Sequence, residues 1–422
     1  MYQNSSMPSR NGGNGGRGAA RPVYSSRRTP APRGGGQRNN GGTYINPDRF
    51  IKAATGPIEE VKYVSEHAFV DFGFEPRLMA NITSHGYVHP TAIQDGAIKF
   101  GLEGRDLIGL ANTGTGKTAA FLLPIIDRML KKDAKRALIM VPTRELAIQI
   151  EDEFRMFARG LNLYSTLVVG GASVHRQLQQ LGKRPQFIIG TPGRLKDLLE
   201  NYGITFEGVD TLVLDEADRM LDMGFIKDIK TILDYIPGQR QTYFLSATIT
   251  SEIDGLLATM LNDPATVSVR KGETNDNIEQ NVVEVEGRDA KFDKLVELLK
   301  QPEFKKVLIF GDTKHGVQRI SDMLNQAGLR TSAIHGNKSQ PQRQRALKEF
   351  KDERVQALVA TDVAARGLDI PKVSHVINFE VPKTYDDYVH RIGRTGRAGE
   401  VGNALTFINP RRPQSEAPSR RY

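Results

Sequence analysis

Two adjacent carboxylates, Asp215 and Glu216, directly follow the apolar run 212–214, and residues 215–218 spell Asp-Glu-Ala-Asp. A short apolar run predicts a buried strand, and open parallel sheets bind their ligands at the carboxyl ends of the strands. One carboxylate could hold Mg²⁺ while the other orients an attacking water. Taken alone, an acidic pair more often closes a strand or caps the next helix, so this interpretation requires a second signal.

The second signal is a phosphate loop at residues 111–118, Ala-Asn-Thr-Gly-Thr-Gly-Lys-Thr. A predicted strand at 105–110 precedes the loop, and an apolar helical stretch at 119–126 follows it. Gly114 and Gly116 allow backbone amides to turn inwards around phosphate oxygens, and the start of the helix adds partial positive charge. The loop therefore predicts a site for a nucleoside triphosphate.

Two side chains at the end of this loop indicate its chemistry. Lys117 can reach the β- and γ-phosphates, and the Thr118 hydroxyl can ligate Mg²⁺. Ala111 stands where the general pattern has Gly, and a simple glycine turn between strand and helix is the alternative. The loop and the acidic pair together favour a nucleotide site. Its cofactor-binding loop residues are Thr113, Gly114, Thr115, Gly116, Lys117 and Thr118.

Length and composition limit the classes of protein that fit. The chain has 422 residues, of which 39% are hydrophobic, which is enough for two or three domains with buried cores. It contains no cysteine, which excludes disulfides and thiolate metal sites. The sequence has no signal-peptide pattern and no apolar run long enough to span a bilayer, so we expect a cytoplasmic protein without a membrane partner.

The positive charge lies at the two ends of the chain. Residues 1–47 contain seven Arg and no Lys, Asp or Glu, whereas residues 410–422 contain four Arg and one Glu. Because the whole chain has a net charge of +9, residues 48–409 are left at −1. The N-terminal tail is rich in Gly, Asn, Ser and Arg, which predicts disorder and contact with nucleic acid. A purely solubilising tail would have the same composition.

Between these tails, short β-rich runs alternate with amphipathic helical stretches. Apolar strands joined by helices predict parallel α/β sheets, and the pattern restarts after a polar stretch, which predicts two domains. The expected segments are a tail at 1–47, a lead-in at 48–68, domains at 69–270 and 281–409, a linker at 271–280 and a tail at 410–422. The other predicted strands are 137–141, 166–169, 187–189, 242–245, 306–310, 357–360 and 375–378.

Only the first predicted domain contains a phosphate loop, which raises the question of what the second contributes. Residues 390–397, His-Arg-Ile-Gly-Arg-Thr-Gly-Arg, place three arginines after a predicted helical stretch at 385–389. Two of them could reach across a cleft to the γ-phosphate as arginine fingers. A solvated basic patch explains the same spacing equally well.

Many motifs of this chain, in one order, resemble those of DEAD-box RNA helicases between residues 69 and 408. The resemblance implies an α/β fold of two tandem RecA-like domains, each a parallel sheet flanked by helices. It also implies ATP and Mg²⁺ as cofactors and RNA as a partner. The motifs that carry it are residues 86–87, 90–94, 111–118, 142–146, 170–171, 191–194, 215–218, 246–248, 340–343, 360–362, 366–369 and 390–397.

The resemblance also assigns roles at the nucleotide. Gln94 would read adenine and Phe69 would stack on it, so ATP is expected rather than GTP. Asp369 would contact the ribose. Glu216 would position and activate the water, while Asp215 would hold Mg²⁺ through its water shell.

Further implied roles couple the nucleotide to RNA. Ser246 and Thr248 would link the nucleotide site to RNA and to domain closure. Arg394 and Arg397 would be the arginine fingers, in the motif that His390 opens. RNA would lie across both domains on its sugar–phosphate backbone, which carries little sequence information. The implied RNA contacts are Thr143, Arg144, Gly171, Thr191, Gly193, Arg194, Gln340, Arg343 and Thr361.

Three residues depart from the family pattern. Asn112 stands where Gln is usual, Ala92 where a second Pro is usual, and Asp312 where Asn is common. Asn112 shortens a side chain beside the phosphate loop, and we expect this to alter coupling more than binding. Asp312 adds a negative charge near the expected RNA face.

The sequence therefore predicts an ATP-dependent RNA helicase that separates short duplexes, or remodels RNA–protein complexes, by local strand distortion. An ATP-gated RNA clamp that serves as an assembly platform is one alternative, and a DNA translocase is another. Gln94 and the Asp-Glu-Ala-Asp spelling disfavour the translocase. Ribosome assembly or RNA decay could supply protein partners.

Overall fold

The computed structural model describes residues 46–54, 63–112, 114–248, 251–269, 277–365, 370–396 and 401–410. Nearly all of both predicted basic tails lies outside these ranges, so their disorder stays a prediction. Among the described residues, no helix combines the length and the apolarity needed to cross a bilayer.

The first domain is built on a parallel sheet with the strand order β3-β4-β2-β5-β6-β1-β7. Its strands are β1 Leu107–Ala111, β2 Ala137–Met140, β3 Ser165–Val168, β4 Phe187–Gly190, β5 Thr211–Leu214, β6 Gln241–Ser246 and β7 Ala265–Val269. Its helices are α1 Pro76–Ser84, α2 Ala92–Leu102, α3 Lys117–Leu130, α4 Arg144–Phe157, α5 Val174–Leu181, α6 Pro192–Tyr202, α7 Ala217–Asp222, α8 Ile226–Leu233 and α9 Ser251–Met260.

Helices cover both faces of this sheet, which explains why its central strands β2, β4, β5 and β6 are buried at every position. In β2, Leu138 and Met140 join one hydrophobic core, whereas Ala137 and Ile139 join the other. Alternate side chains of a strand point to opposite faces, so both faces of β2 are buried. The sheet therefore has a hydrophobic core on each side, and the candidate site is formed by the loops that follow its strands.

The second domain repeats this architecture with the strand order β10-β11-β9-β12-β13-β8, again parallel. Its strands are β8 Ile278–Glu284, β9 Val307–Phe310, β10 Thr331–Ile334, β11 Ala357–Ala360, β12 His375–Asn378 and β13 Gly402–Ile408. Its helices are α10 Arg288–Leu299, α11 Lys314–Gln326, α12 Gln340–Lys351, α13 Asp362–Ala365 and α14 Tyr385–Ile392.

The predicted fold class is confirmed: two parallel sheets, each flanked by helices, follow one another along the chain. Three details differ from the expectation. The second sheet begins at Ile278, inside the predicted linker. The first strand begins at Leu107 rather than at Arg105, and the carboxylate of Asp106 before it accepts hydrogen bonds from the backbone amides of Thr242 and Asn262 at 2.6 and 2.7 Å. A short 3₁₀ turn, Pro47–Phe50, begins at the end of the predicted tail and packs on the second domain.

Candidate functional site

The phosphate loop starts at Ala111, the last residue of β1, and ends at Thr118 in the first turn of α3. Gly116 has φ +93° and Gly114 φ +85°, in the region that only glycine enters readily. A Cβ atom at Gly116 would lie 2.4 Å from Nε2 of Gln94, so the loop has no room for a side chain there. The N-terminus of α3, with its unpaired amides, faces this loop and favours an anion.

Residues at the start of α2 form hydrogen bonds to the phosphate loop. Gln94 donates from Nε2 to the Gly116 carbonyl at 3.1 Å, and its Oε1 accepts from the Thr91 amide at 2.9 Å. The Thr91 hydroxyl donates to the Thr115 carbonyl at 2.8 Å. Gln94 is therefore buried against the loop, next to the expected base position, and its reading of adenine stays a prediction.

Phe69, the predicted stacking residue, lies in a 3₁₀ turn, Phe69–Phe72, and is 1% exposed. Its ring meets Phe72 and Tyr87 edge-on, with centroid distances of 6.2 and 5.6 Å. In this arrangement the ring belongs to the core of the first domain. Stacking on a base would require its face to become accessible, so this role also stays a prediction.

Lys117 is buried at the base of the loop, where its ammonium donates to the Ala111 carbonyl at 2.8 Å. Its positive charge acts on two carboxylates after β5, those of Asp215 and Asp218. Burial raises the pKa of Asp215 to about 6, and the charge of Lys117 offsets this rise only in part. A nearby cation favours the ionised form of a buried carboxylate whose pKa is raised in this way. Together with the half-buried Thr118, Asp215 therefore fits a hydrated Mg²⁺ held mainly by phosphates.

Glu216 has an unusual backbone for its residue type. It follows β5 with φ +52° and ψ +49°, a left-handed conformation that costs a non-glycine residue roughly 1–2 kcal/mol. One of its carboxylate oxygens lies 3.3 Å from Nη1 of Arg219, and both side chains are buried. Strained residues cluster at functional sites, and this one carries the carboxylate predicted to orient water.

Asp218 connects more parts of the site than any predicted residue. Its Oδ2 accepts from the backbone amides of Ala247 and Thr248 at 3.0 and 3.1 Å, and from the Thr248 hydroxyl at 3.3 Å. Burial opposes its ionisation, but Lys117, Arg219 and also His390 of the second domain keep the pKa of Asp218 low. Sequence analysis assigned no role to Asp218, although its place in the tetrapeptide was the available signal.

Ser246 and Thr248 are linked to each other as well. The buried Ser246 hydroxyl donates to the Thr248 carbonyl at 2.7 Å. The segment after β6 is thus tied to the acidic end of β5 through Asp218. Residues 249 and 250 lie outside the described ranges, and the segment resumes at α9.

In the second domain, Arg391 is the residue that sequence analysis missed. It is 2% exposed, and its guanidinium donates to both carboxylate oxygens of Asp362 at 2.6 and 2.7 Å. Nη1 donates to the Glu380 carbonyl at 2.7 Å. The bidentate ion pair links α14 to α13, the short helix that follows β11. Arg391 was noted as one of the three arginines of residues 390–397, but only Arg394 and Arg397 were given a role.

Arg394 follows α14 directly and is 3% exposed. It lines a small cleft together with Asp362, His390 and Arg391. Arg397, the second predicted finger, lies outside the described residues, as do Thr113 and Asp369. Their roles stay predictions.

Several of the predicted RNA residues of the first domain lie close together. Arg144 lies over Gly170 and Gly171, where a Cβ at Gly171 would come within 2.2 Å of Arg144 Nη1. Arg194 donates from Nη1 to the Ala172 carbonyl at 3.3 Å. The remaining members lie at helix starts: Thr143 is the N-cap of α4, Thr191 is the N-cap of α6, and Gly193 is exposed in the first turn of α6.

Residues of the second domain join this surface through Glu145. Arg343 donates from Nη2 to the Glu145 carboxylate at 2.7 Å, and Gln340 donates from Nε2 at 3.4 Å. The charge of Arg343 also contributes to a lowered pKa of Arg144, after the larger effect of burial. Thr361, half-buried after β11, completes the predicted set. Glu145 itself was not predicted.

The three departures from the family pattern fit the local structure. Ala92 is the first residue of α2, where alanine suits a helix as well as proline does. The Asn112 carbonyl accepts from the Thr115 hydroxyl at 2.8 Å within the loop. Asp312 is exposed in the turn after β9.

Known families and relatives match the same segments. The DEAD/DEAH box helicase family matches residues 91–256, and the Helicase conserved C-terminal domain family matches residues 290–399. Over 345 residues, the chain is 44% identical to "ATP-dependent RNA helicase CshA" of Listeria monocytogenes, which covers 81% of this chain and 66% of that relative. The identity to "DEAD-box ATP-dependent RNA helicase CshA" of Geobacillus kaustophilus is also 44% over 345 residues, which covers 81% and 74%.

This chain belongs to the DEAD-box family of ATP-dependent RNA helicases. The predicted family is thereby confirmed. The fold of this DEAD-box protein is similar to that of S. cerevisiae Dbp5 bound to RNA and ADP BeF3, with a TM-score of 0.70 and 30% identity, covering 81% of this chain and 89% of that one. The chain spans about two thirds of the length of the Listeria relative.

Proposed function

We propose that this DEAD-box protein is an RNA-stimulated ATPase that closes its two domains on ATP and RNA. Closure bends one RNA strand, and hydrolysis releases it, so that short duplexes separate or RNA–protein complexes are remodelled. ATP is the expected nucleotide and Mg²⁺ the expected metal ion. RNA contacts are made to the sugar–phosphate backbone, and a cytoplasmic location stays part of the proposal.

The network around Asp218 carries this proposal. One carboxylate receives hydrogen bonds from the segment after β6, and it lies within the electrostatic reach of both Lys117 and His390. These three partners belong to the predicted RNA-coupling segment, to the phosphate loop and to the second domain, respectively. Through the Asp218 side chain, a change at the bound nucleotide can therefore affect both the predicted RNA-coupling segment and the second domain.

The roles of individual residues follow from their positions. Lys117 and the amides of the loop would bind the phosphates, and Thr118 with Asp215 would hold the hydrated Mg²⁺, which neutralises phosphate charge during transfer. Glu216 would orient the attacking water, and Arg394 and Arg397 would stabilise charge on the γ-phosphate. Arg391 acts on none of these groups directly, and would hold α14 in position.

The surface around Glu145 supports RNA as the partner. It gathers Arg144 and Arg194 from one domain with Gln340 and Arg343 from the other. Guanidinium groups and helix N-termini are suited to phosphate oxygens without selecting a base sequence. Partners in ribosome assembly or RNA decay remain proposals that rest on the resemblance alone.

The deciding experiment compares ATP hydrolysis without nucleic acid, with RNA and with DNA, beside separation of a short RNA duplex. We expect RNA to stimulate hydrolysis far more than DNA does, and the duplex to separate only with ATP. Stimulation by RNA without strand separation would favour the ATP-gated clamp. Equal stimulation by DNA would favour the translocase, and hydrolysis insensitive to both would contradict the proposed function.

A further inference from the structure

Residues 46–54, which we call the N-terminal arm, precede the first domain in the chain but lie against the second domain. The arm begins with the 3₁₀ turn Pro47–Phe50, where the Asn46 side chain accepts from the Asp48 amide at 3.0 Å. It contacts β8 and α14 of the second domain. Sequence analysis divided these residues between a tail and a lead-in and assigned them no function.

An aromatic cluster attaches the arm to α14. Phe50 is 1% exposed, and its ring centroid lies 4.6 Å from that of Tyr388, in a hydrophobic cluster that also contains Ile392. The Arg49 guanidinium lies 3.7 Å from the centre of the Tyr385 ring, a cation–π contact. The three partners on α14 are spaced three and four residues apart, so they lie on one face of the helix.

Backbone pairing joins the arm to the edge of the second sheet. The Lys52 amide donates to the Gln280 carbonyl at 2.9 Å, and the Gln280 amide donates to the Lys52 carbonyl at 2.8 Å. Gln280 lies in β8, the last strand in the sheet order, and its side-chain Oε1 accepts from the Tyr388 hydroxyl at 2.9 Å. The arm therefore contacts α14 directly, through Phe50, and also by way of β8.

The other side of α14 carries residues of the candidate site. Asp387, His390 and Arg391 are also three and four residues apart, and they line the small cleft together with Arg394. Arg391 makes the bidentate ion pair with Asp362 on this side. At 3.6 residues per turn, this set lies roughly 140° around the helix from the set that contacts the arm. The arm thus packs on the side of α14 that faces away from the cleft.

We propose that the N-terminal arm positions α14 for catalysis, and that Phe50 and Arg49 act as positioning residues for Arg394. This role rests on the proposed function, in which Arg394 stabilises charge on the γ-phosphate. A helix as short as α14 is unstable by itself in water, so its position depends on what packs against it. The ion pair of Arg391 holds one side of the helix and the arm holds the other, and Arg394 comes two residues after the helix ends.

Removal of the buried ring should lower turnover without lowering nucleotide affinity. In Phe50→Ala a cavity replaces the ring and α14 can shift, and a misplacement of about 1 Å can lower a rate by about 10²-fold. We therefore expect turnover at saturating ATP and RNA to fall by about 10- to 100-fold. ATP affinity should stay unchanged, because the phosphate loop belongs to the first domain. Phe50→Leu keeps an apolar side chain and should recover most of the lost turnover.

Two further variants separate this contact from a general loss of stability. Arg49→Ala removes the cation–π contact of an exposed side chain, so the fold is retained, and turnover should fall by about two- to five-fold. Ile51→Ala is the matched control, because this neighbouring residue is 53% exposed and lies outside the aromatic cluster. The control should change neither turnover nor ATP affinity.

Amide hydrogen exchange on the full chain measures the docking of the arm independently of activity. Phe50→Ala should accelerate exchange in α14 and β8 by about tenfold or more, because the packing that protects these elements is lost. Exchange in α3 and α4 of the first domain should stay unchanged, and Ile51→Ala should leave exchange in all four elements as it is in the parent protein.

The outcomes distinguish the positioning role from the proposed function. Faster exchange in α14 with normal turnover would overturn the positioning role, and unchanged exchange would overturn the docking itself. A loss of ATP-binding sites in proportion to the loss of turnover would also overturn the role, since the arm would then only stabilise the fold. A parent protein without RNA-stimulated hydrolysis contradicts the proposed function instead, and hydrogen exchange would still show whether the arm holds α14.

Discussion

The two domains share a strand order but not a chemistry. The first six strands of one sheet, β3-β4-β2-β5-β6-β1, can be aligned with the six strands of the other, β10-β11-β9-β12-β13-β8. In this alignment β1 corresponds to β8, β2 to β9 and β4 to β11. After β1 comes the phosphate loop with its buried lysine. After β8 the chain passes through only residues 285–287, Val-Glu-Gly, before α10 begins at Arg288, so the glycine-rich loop has no counterpart there.

Other strand ends are alike in the two domains. Thr143 after β2 and Thr313 after β9 are both N-caps, and their hydroxyls accept from backbone amides at 3.3 and 3.0 Å. Thr191 and Thr361 occupy matching places after β4 and β11. The comparison indicates that threonines recur after matching strands of both domains, whereas the glycine-rich loop follows β1 alone among the described strands, so the two domains differ in their loops on a common scaffold.

The largest expected effect tests whether the second domain supplies a positive charge to the nucleotide bound by the first domain. Arg394→Ala should lower RNA-stimulated turnover by about 10³-fold or more while leaving ATP binding largely intact. Single-turnover hydrolysis and nucleotide titration measure the two quantities separately. The control is Arg345→Ala, because that side chain is 81% exposed on α12. Loss of ATP affinity with unchanged turnover of bound ATP would show that Arg394 is not a finger.

The next effect tests the chemistry of the first domain. Glu216→Gln keeps the shape of the side chain but removes the carboxylate that would orient water, so hydrolysis should fall by about 10²–10⁴-fold. RNA should then be released more slowly in the presence of ATP, as a filter-binding chase would show. Near-normal turnover in this variant contradicts the assigned role.

A third prediction concerns the stability of the second domain alone. Arg391→Ala leaves the Asp362 carboxylate, which is 26% exposed, without its bidentate partner, and loss of such charged hydrogen bonds costs about 1.5–3 kcal/mol. Hydrogen exchange should accelerate in α13 and α14 but not in the first domain. Arg345→Ala removes an exposed pair with Glu349 and should change little. Uniform acceleration across both domains would argue against a local role.

The smallest expected effect concerns base choice. Gln94→Ala removes hydrogen bonds near the expected adenine, and we expect ATP affinity to fall by about tenfold while GTP affinity changes less. Equilibrium titration with both nucleotides measures the ratio. Gln179→Ala, at an exposed position of α5, is the control. If GTP already binds the parent as well as ATP does, Gln94 does not select the base.

Strands buried on both faces were predictable, whereas three of the four edge strands, β7, β8 and β10, were not. The runs in β2, β4, β9, β11 and β12 are buried at every position and stood out. In contrast, β8 alternates buried Ile278 and Gln280 with exposed Glu279 and begins in a polar stretch that resembled a linker. Its strand character depends on β13 and on Lys52, neither of which is nearby in sequence.

Chemistry that is carried by adjacent residues follows from the amino-acid sequence itself. The phosphate loop, the acidic tetrapeptide and the arginine motif each consist of neighbouring residues, because a strand, a turn and a helix start are local events. Alternation of apolar strands and helices likewise follows from local periodicity, and it was sufficient to predict two parallel α/β domains.

Only the tertiary structure decided which of these pieces meet. Glu145 contacts Arg343 across 198 positions of the chain, Asp218 contacts Thr248 across 30, and Phe50 lies on α14 more than 300 residues later. Such pairings depend on strand order and on how two sheets close, and no local pattern encodes them. For this reason the candidate site residues could be named from their motifs, whereas the residues that connect them in space, Asp218, Arg391 and Glu145, could not.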